Sequence, residues 1–278
     1  MLRLAAVIAC LCLPLPAVAQ GLSDSLSTHG ALTRLDTGDQ SRGWEAVGRL
    51  DIDGKGFCTG ALIAEDLVLT AAHCLFDKHR GTRIDATKVQ FLAGFRNGRA
   101  SAYRQVKRAV IHPAYHFEPT VSTDKVRQDV ALLQLDMPIR NTTVVPFDTD
   151  GRPARGDRIG VVSYAHDRAE APSLQEICGV MGQQDGVLIM SCDVDFGSSG
   201  APVFSFGSGA PRIVSVVSAK AEVSGTRVAL GTQLGETLEE LRAELDDGVV
   251  KQPVTVGTRI GIGGGRQGSG AKFVRAGE

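Results

Sequence analysis

Aromatic residues make up only 5% of this 278-residue sequence, with a single tryptophan, so no row of stacking platforms exists for nucleic-acid bases. A charge excess is missing too: 30 lysines and arginines face 31 acids, and a net charge of −1 creates no field to draw in polyanions. There is no Cys-x-x-Cys and no nearby histidine pair, which removes the common zinc frameworks. There is also no Gly-x-Ser-x-Gly elbow, and no α/β alternation to carry one, which removes lipase-type esterases. Finally, no long helical repeat appears between Gly43 and Leu230. What remains is an ordinary globular composition with 43% hydrophobic residues, long enough to bury a substantial core.

The one pronounced apolar run is at the start. Arg3, then Leu4 to Leu15, then Ala17-Val18-Ala19 before Gln20 have the layout of a secretory signal over residues 1–19. The run is too short for a membrane span and is broken by Pro14 and Pro16, so export without a membrane anchor is expected, to the periplasm or the outside. Cleavage there removes Cys10 and Cys12 and leaves Cys58, Cys74, Cys178 and Cys192. Four cysteines in an exported chain allow three disulfide connectivities. The local pairing Cys58–Cys74 and Cys178–Cys192 is favoured, because each pair brackets a hairpin-like stretch. Each bridge closes a short loop, worth about 3 kcal/mol on a chain-entropy account.

Past an N-terminal segment at 20–43, short β-rich runs follow one another: Phe57–Ile63, Leu67–Thr70, Val89–Phe95, Tyr103–Ile111, Val130–Leu135, Arg158–Tyr164, Ile177–Met181, Val187–Cys192, Pro202–Phe206, Ile213–Ser218 and Arg227–Leu230. Many short strands at this spacing predict an all-β barrel or sandwich. A turn-rich break at Asp148–Asp157 splits them into two clusters, hence two β-barrels side by side within a domain spanning 44–247. Asp51-Ile-Asp53-Gly54 reads as a turn, since the twelfth position of a calcium loop would be Leu62. Gly182 to Gly186 reads as a hairpin loop. Leu234, Leu238, Leu241 and Leu245 then recur at helical spacing, with a capping box at Thr237–Glu240. These leucines are expected to dock a terminal helix on the second barrel. Residues 248–278 are Gly-rich and basic, the composition of a flexible tail. Its Gly263-x-Gly265-x-x-Gly268 matches a dinucleotide fingerprint by accident, for no helix can follow in the residues left.

Three segments carry chemistry. Thr70-Ala-Ala-His73-Cys74 sets a histidine directly after a strand, and Asp129 heads the apolar run Val-Ala-Leu-Leu-Gln-Leu135. Gly197-Ser-Ser199-Gly-Ala-Pro202 places a serine in a turn of small residues. Acyl transfer by serine needs a nucleophile, a base and a buried carboxylate that orients the base. Singly, each has an ordinary explanation as a packed histidine, a strand cap or a turn. Those explanations do not account for all three in this order. His29, His79, His112, His116 and His166 read as surface or turn residues.

In that order, the segments resemble the trypsin/chymotrypsin family of serine proteases. Phe57-Cys-Thr-Gly-Ala-Leu-Ile63 looks like the family's first disulfide hairpin, and Ile111-His-Pro-Ala-Tyr115 like the strand end before its aspartate. The resemblance covers residues 44–247 and implies two six-stranded antiparallel barrels with a C-terminal helix and a cleft between them. It implies a His73–Asp129–Ser199 triad, an oxyanion hole from the N–H groups of Gly197 and Ser199, and Ser218 holding the aspartate. It implies peptide substrates, a monomer, and neither metal nor cofactor. By position Asp193 forms the base of the specificity pocket, so cleavage after Arg or Lys is expected; Lys220 on the pocket wall, which would neutralise Asp193 or attract an acidic residue, gives the glutamyl-type alternative. Ser198 stands where animal digestive members carry an aspartate that pairs with a newly cut amino terminus, and no Ile-Val-Gly-Gly start occurs near Arg42. That looks like the bacterial branch, which includes glutamyl endopeptidases. The rival reading is a relative that keeps the barrels without the activity.

Overall fold

The computed structural model describes residues 30–250 except 119, 151, 152, 208 and 224; for 248–250 only the backbone is described. The proposed signal, residues 20–29 of the N-terminal segment and residues 251–278 of the Gly-rich tail therefore lie outside the described residues.

Six strands form the first barrel: β2 (Val47–Ile52), β3 (Gly56–Ala64), β4 (Leu67–Thr70), β5 (Val89–Ala93), β6 (Ala102–Ile111) and β7 (Ala131–Leu135). They close antiparallel in the order β2-β3-β4-β7-β6-β5. The second barrel holds β8 (Arg158–Ser163), β9 (Ser173–Gln184), β10 (Val187–Met190), β11 (Pro202–Ser205), β12 (Arg212–Val223) and β13 (Thr226–Gln233). The β8–β9 pairing closes it, and β1 (Thr33–Arg34) adds a short strand outside β9. This is the all-β, two-barrel architecture with a C-terminal helix that the sequence implies.

Two strands escape a sequence reading, β1 and β2. In β2, Arg49 and Asp51 fall on the less buried side while Val47, Leu50 and Ile52 turn inward. Gly48 sits where the Phe91 ring leaves no room: a Cβ there would lie 2.3 Å from it. A residue chosen for close packing thus dilutes the β signal. Other strands run longer than their apolar cores, because hydrogen bonding continues where burial stops. The exposed end of β12 pairs Lys220 with Ala229 and Glu222 with Arg227. The two hairpins read from turn residues use left-handed pairs, Asp53-Gly54 (φ 51° and 64°) and Asp185-Gly186 (φ 49° and 80°), matching the twist of antiparallel strands.

The terminal helix α2 (Gly235–Val250) begins two residues before Thr237, so that threonine lies inside the helix rather than capping it. It also docks elsewhere than expected. Leu234, Leu238, Leu241 and Leu245 join the core of the first barrel, and α2 lies against β6 and β7. Arg108 on β6 donates to the Leu245 carbonyl, and a Glu240 carboxylate oxygen lies 3.3 Å from Nε2 of the largely buried His112. The chain leaves the second barrel and straps the first. Trp44, Phe147 and Phe204 complete the join, their rings 4.7 to 6.0 Å apart at the centroids. No helix among the described residues is long and apolar enough to cross a membrane.

Leu241 is fully buried under this strap. Leu241→Ala should lower unfolding free energy by about 2–5 kcal/mol in urea titrations. A loss below about 1 kcal/mol would mean the helix does not dock.

Candidate active site

Between the barrels opens a cleft of about 410 Å³, lined by His73, Asp129, Ser199, Ser218 and Lys220 among others. His73 belongs to a 3-10 turn at Ala72–Leu75 directly after β4. Its neighbour Cys74 is bonded to Cys58 on β3, so the turn is anchored to the barrel wall. The sulfurs lie near the imidazole, but bonded to each other they offer no thiolate to a metal.

Asp129 follows the one-turn helix α1 (Thr123–Arg127) and has no exposed surface. A carboxylate so placed must be solvated by protein donors. The His73 backbone N–H reaches Oδ1 at 2.8 Å, the His73 ring Nδ1 lies 2.6 Å from Oδ2, and the Ser218 hydroxyl donates to Oδ2 at 2.5 Å. One carboxylate thus fixes the histidine through both backbone and ring. Close by, burial foremost and the Asp129 charge second push the Tyr115 phenol pKa up, so the phenol stays neutral.

Ser199 lies in the turn before β11. Gly197 (φ 99°) and Gly200 (φ 76°) give the turn backbone angles that other residues resist. A Cβ on Gly200 would come 2.1 Å from the Thr70 hydroxyl oxygen, and one on Gly197 2.4 Å from the Phe57 ring. Among the described residues, neither the Gly197 N–H nor the Ser199 N–H is donated to a protein backbone acceptor. Two free donors in one turn suit a developing oxyanion. No hydrogen bond joins Ser199 to His73 among the described residues, a looseness common where the catalytic contact tightens only with substrate.

The sequence did not mark the threonines that hold this arrangement. Thr59 on β3 donates its backbone N–H to the Ser199 carbonyl at 2.9 Å and its hydroxyl to the Gly197 carbonyl at 2.8 Å. That hydroxyl also accepts the Tyr164 N–H at 3.1 Å. Thr232 on β13 donates to the Val126 carbonyl at 2.5 Å, tying the second barrel to the helix before Asp129. Both are fully buried. In sequence they look like ordinary strand residues.

The specificity candidates separate. Asp193, just after the Cys178–Cys192 bridge, is exposed and lines a neighbouring hollow with Gly30, Gln175 and Arg227. It is absent from the lining of the Ser199 cleft. Lys220 lines both spaces. Its ammonium sits 2.6 Å from Asp195 Oδ1 and 4.3 Å from the centroid of the exposed Phe196 ring. The Lys220 hydrogen bond first, and the Phe196 N–H second, hold Asp195 below the usual carboxylate range.

A family model described as a trypsin-like peptidase domain matches residues 58–211, more than half of the chain. The chain belongs to that family. Among curated relatives it is 29% identical to coagulation factor IX of Cavia porcellus over 105 residues, 37% of this chain and 33% of that one. It is 29% identical to serine protease 23 of Homo sapiens over 164 residues, 53% of this chain and 42% of that one. The chain therefore spans a third to two-fifths of the length of these relatives. Among solved structures, a Glu endopeptidase matches with a TM-score of 0.63 at 18% identity, covering 78% of this chain and 98% of the other. A scabies mite inactivated protease paralogue matches with a TM-score of 0.60 at 15% identity, covering 78% and 96%. At such identities the likeness is one of fold. Family membership and fold together give a serine-protease-type catalytic architecture.

Thr59→Val keeps the shape of the threonine but strands the Gly197 carbonyl and the Tyr164 N–H. Each orphaned group costs about 1–3 kcal/mol. The variant should unfold at lower denaturant and lose reactivity toward serine-directed probes. Unchanged stability would show that Thr59 does not hold the Gly197–Ser199 turn.

Proposed function

We propose that this chain is an exported serine endopeptidase that cleaves through an acyl-enzyme formed on Ser199. The observation that supports it most is the buried Asp129 carboxylate, bound by His73 at two points and by Ser218, on the same cleft as Ser199. His73 Nδ1 faces Asp129, so its Nε2 is left to take the Ser199 proton as the hydroxyl attacks the scissile carbonyl. Asp129 holds that tautomer and stabilises the imidazolium. The N–H groups of Gly197 and Ser199 receive the oxyanion. His73 then returns its proton to the leaving amine, and water releases the acyl group by the reverse sequence. The signal-like start and the two disulfides fit an oxidising compartment outside the cytoplasm.

For the residue cleaved after, an acidic preference agrees better with the cleft than a basic one. The basic reading rested on Asp193, which faces the neighbouring hollow. The cleft itself presents Lys78, Lys125 and Lys220 against Glu118 and Asp195, apart from the saturated Asp129. An ammonium on the wall, only partly neutralised by Asp195, attracts a carboxylate and rejects a cation. The fold likeness to a Glu endopeptidase points the same way.

Ser199→Ala should cut turnover by roughly 10⁴–10⁶ and abolish labelling by a fluorophosphonate, with the fold retained. An unlabelled native protein would favour the non-catalytic reading that the inactivated mite paralogue exemplifies.

Matched chromogenic peptides ending in Glu, Arg and Phe test the specificity. Glu should be fastest, and Lys220→Ala should erode that advantage by about tenfold, one charge contact's worth. Fastest cleavage after Arg would return the role to Asp193.

A further inference from the structure

Arg168 is a buried cation, among the described residues, that the site as described does not use. It ends a 3-10 turn at His166–Arg168, and its side chain is only 9% exposed. Its carboxylate partner among the described residues is Asp167, itself 59% exposed, at 3.1 Å. The rest of the guanidinium points inward. Nη2 lies 3.3 Å from the Ser163 hydroxyl and 3.4 Å from the Ser198 hydroxyl, while Nε is buried without a partner. A buried cation is costly unless it is well satisfied. Its retention here, half-satisfied, calls for a role.

That role lies in what it touches. Ser198 stands between the two oxyanion donors, and its hydroxyl has one proton and two lone pairs. The lone pairs take the Asp195 N–H at 3.3 Å and Arg168 Nη2 at 3.4 Å; the proton goes to the Tyr164 carbonyl or the Ser163 hydroxyl, each at 3.2 Å. Two residues before Ser198, the Phe196 carbonyl accepts the His166 N–H at 2.8 Å. The segment Ser163–Arg168 therefore grips the oxyanion turn from behind at Ser198 and at Phe196.

We infer that Arg168 is a positioning residue: its guanidinium, bonded to Ser198 and Ser163, holds the oxyanion turn open from within the chain. It does the work that other family members give to a newly cut amino terminus paired with an aspartate. This rests on the proposed peptidase reading for its effect on rate, though not for its effect on the turn. Arg suits the site because its planar fork gives both hydroxyls to Nη2 while Nη1 keeps Asp167, an arrangement that an ammonium on a flexible stem does not reproduce. The chain then needs no activating cleavage to shape its oxyanion hole.

The mature full-length protein with Arg168→Ala and with Arg168→Lys provides the test. Rates are taken per active site titrated with fluorophosphonate, on whichever of the Glu, Arg and Phe substrates the native protein cleaves. Loss of registry in the turn should lower kcat about 10²-fold for Arg168→Ala, with KM within about threefold and affinity for a peptide boronate falling in parallel. Arg168→Lys should recover only part of the rate. Blocking the amino terminus by acetylation should leave turnover within about twofold. Hydrogen–deuterium exchange over 194–201 reads the turn directly, with or without turnover, and should quicken at least tenfold in Arg168→Ala while the barrel strands stay protected. Exchange unchanged in that segment overturns the inference. So does a kcat within threefold of native, or a large loss on blocking the amine. A native protein that neither labels nor turns over defeats the peptidase reading instead, and the exchange result then decides the role of Arg168 alone.

Discussion

A carboxylate with no access to water is the constraint around which this molecule is arranged. Asp129 cannot be solvated by its own barrel alone, since two of its three bonds come from His73 and the third from Ser218 on β12. The first barrel supplies the acid and the histidine, and the second supplies the hydroxyl that completes the shell. Separating the barrels would leave an ionised group buried without its donors, which typically costs several kcal/mol. The arrangement that orients a histidine for proton transfer is thus also a device that holds two barrels in register. Apolar packing adds to it: the Trp44–Phe204–Phe147 cluster and the crossing of α2 from the second barrel onto the first join the same two units.

The fold was legible in the sequence wherever apolar alternation and turn residues coincide. The paired-barrel layout, the two left-handed hairpin turns and the helix all announced themselves in that way. β2 did not, because its glycine answers to the Phe91 ring rather than to strand propensity. The docking of α2 was misread for a related reason. A leucine stripe says which face is buried but not against what, and the partner strands β6 and β7 lie some 100 residues earlier in the chain. Periodicity is local; docking is not.

At the site, the proposed triad could be picked out because few other roles place His, Asp and Ser in such settings in that order. The residues that hold them could not. Thr59 and Thr232 look like ordinary β-formers until the structure shows their hydroxyls bonded to carbonyls more than 100 residues away in sequence. Asp193 shows the opposite case, a position read from a motif that lines a neighbouring hollow rather than the cleft of Ser199. Counting back from the nucleophile assumes one loop shape, yet here Cys192 ends that loop one residue before the aspartate and bonds to Cys178. Gln175 accepts the Asp193 N–H, fixing the backbone there while the carboxylate faces the outer hollow. A position in a motif carries its role only if the loop around it has kept its geometry.

Arg168 and Lys220 show how the same charge serves two ends according to its surroundings. Lys220 is half exposed, paired with Asp195 and stacked on Phe196, so water and a counter-ion soften it. A charge in that state contributes little to stability but can select an incoming carboxylate, because a substrate need only displace solvent and part of one ion pair. Arg168 is nearly dry and meets mainly neutral hydroxyls, so its field is weakly screened and its position closely determined. Such a group is poor at recognising ligands that cannot reach it and well suited to fixing a turn. Asp195 links the two: its carboxylate takes Lys220 while its backbone N–H is held by the Ser198 hydroxyl that Arg168 touches. On the proposed reading, the wall that meets the substrate and the turn that receives the oxyanion are consequently one continuous set of bonds, so a change at Asp195 acts on rate as well as on the choice of substrate.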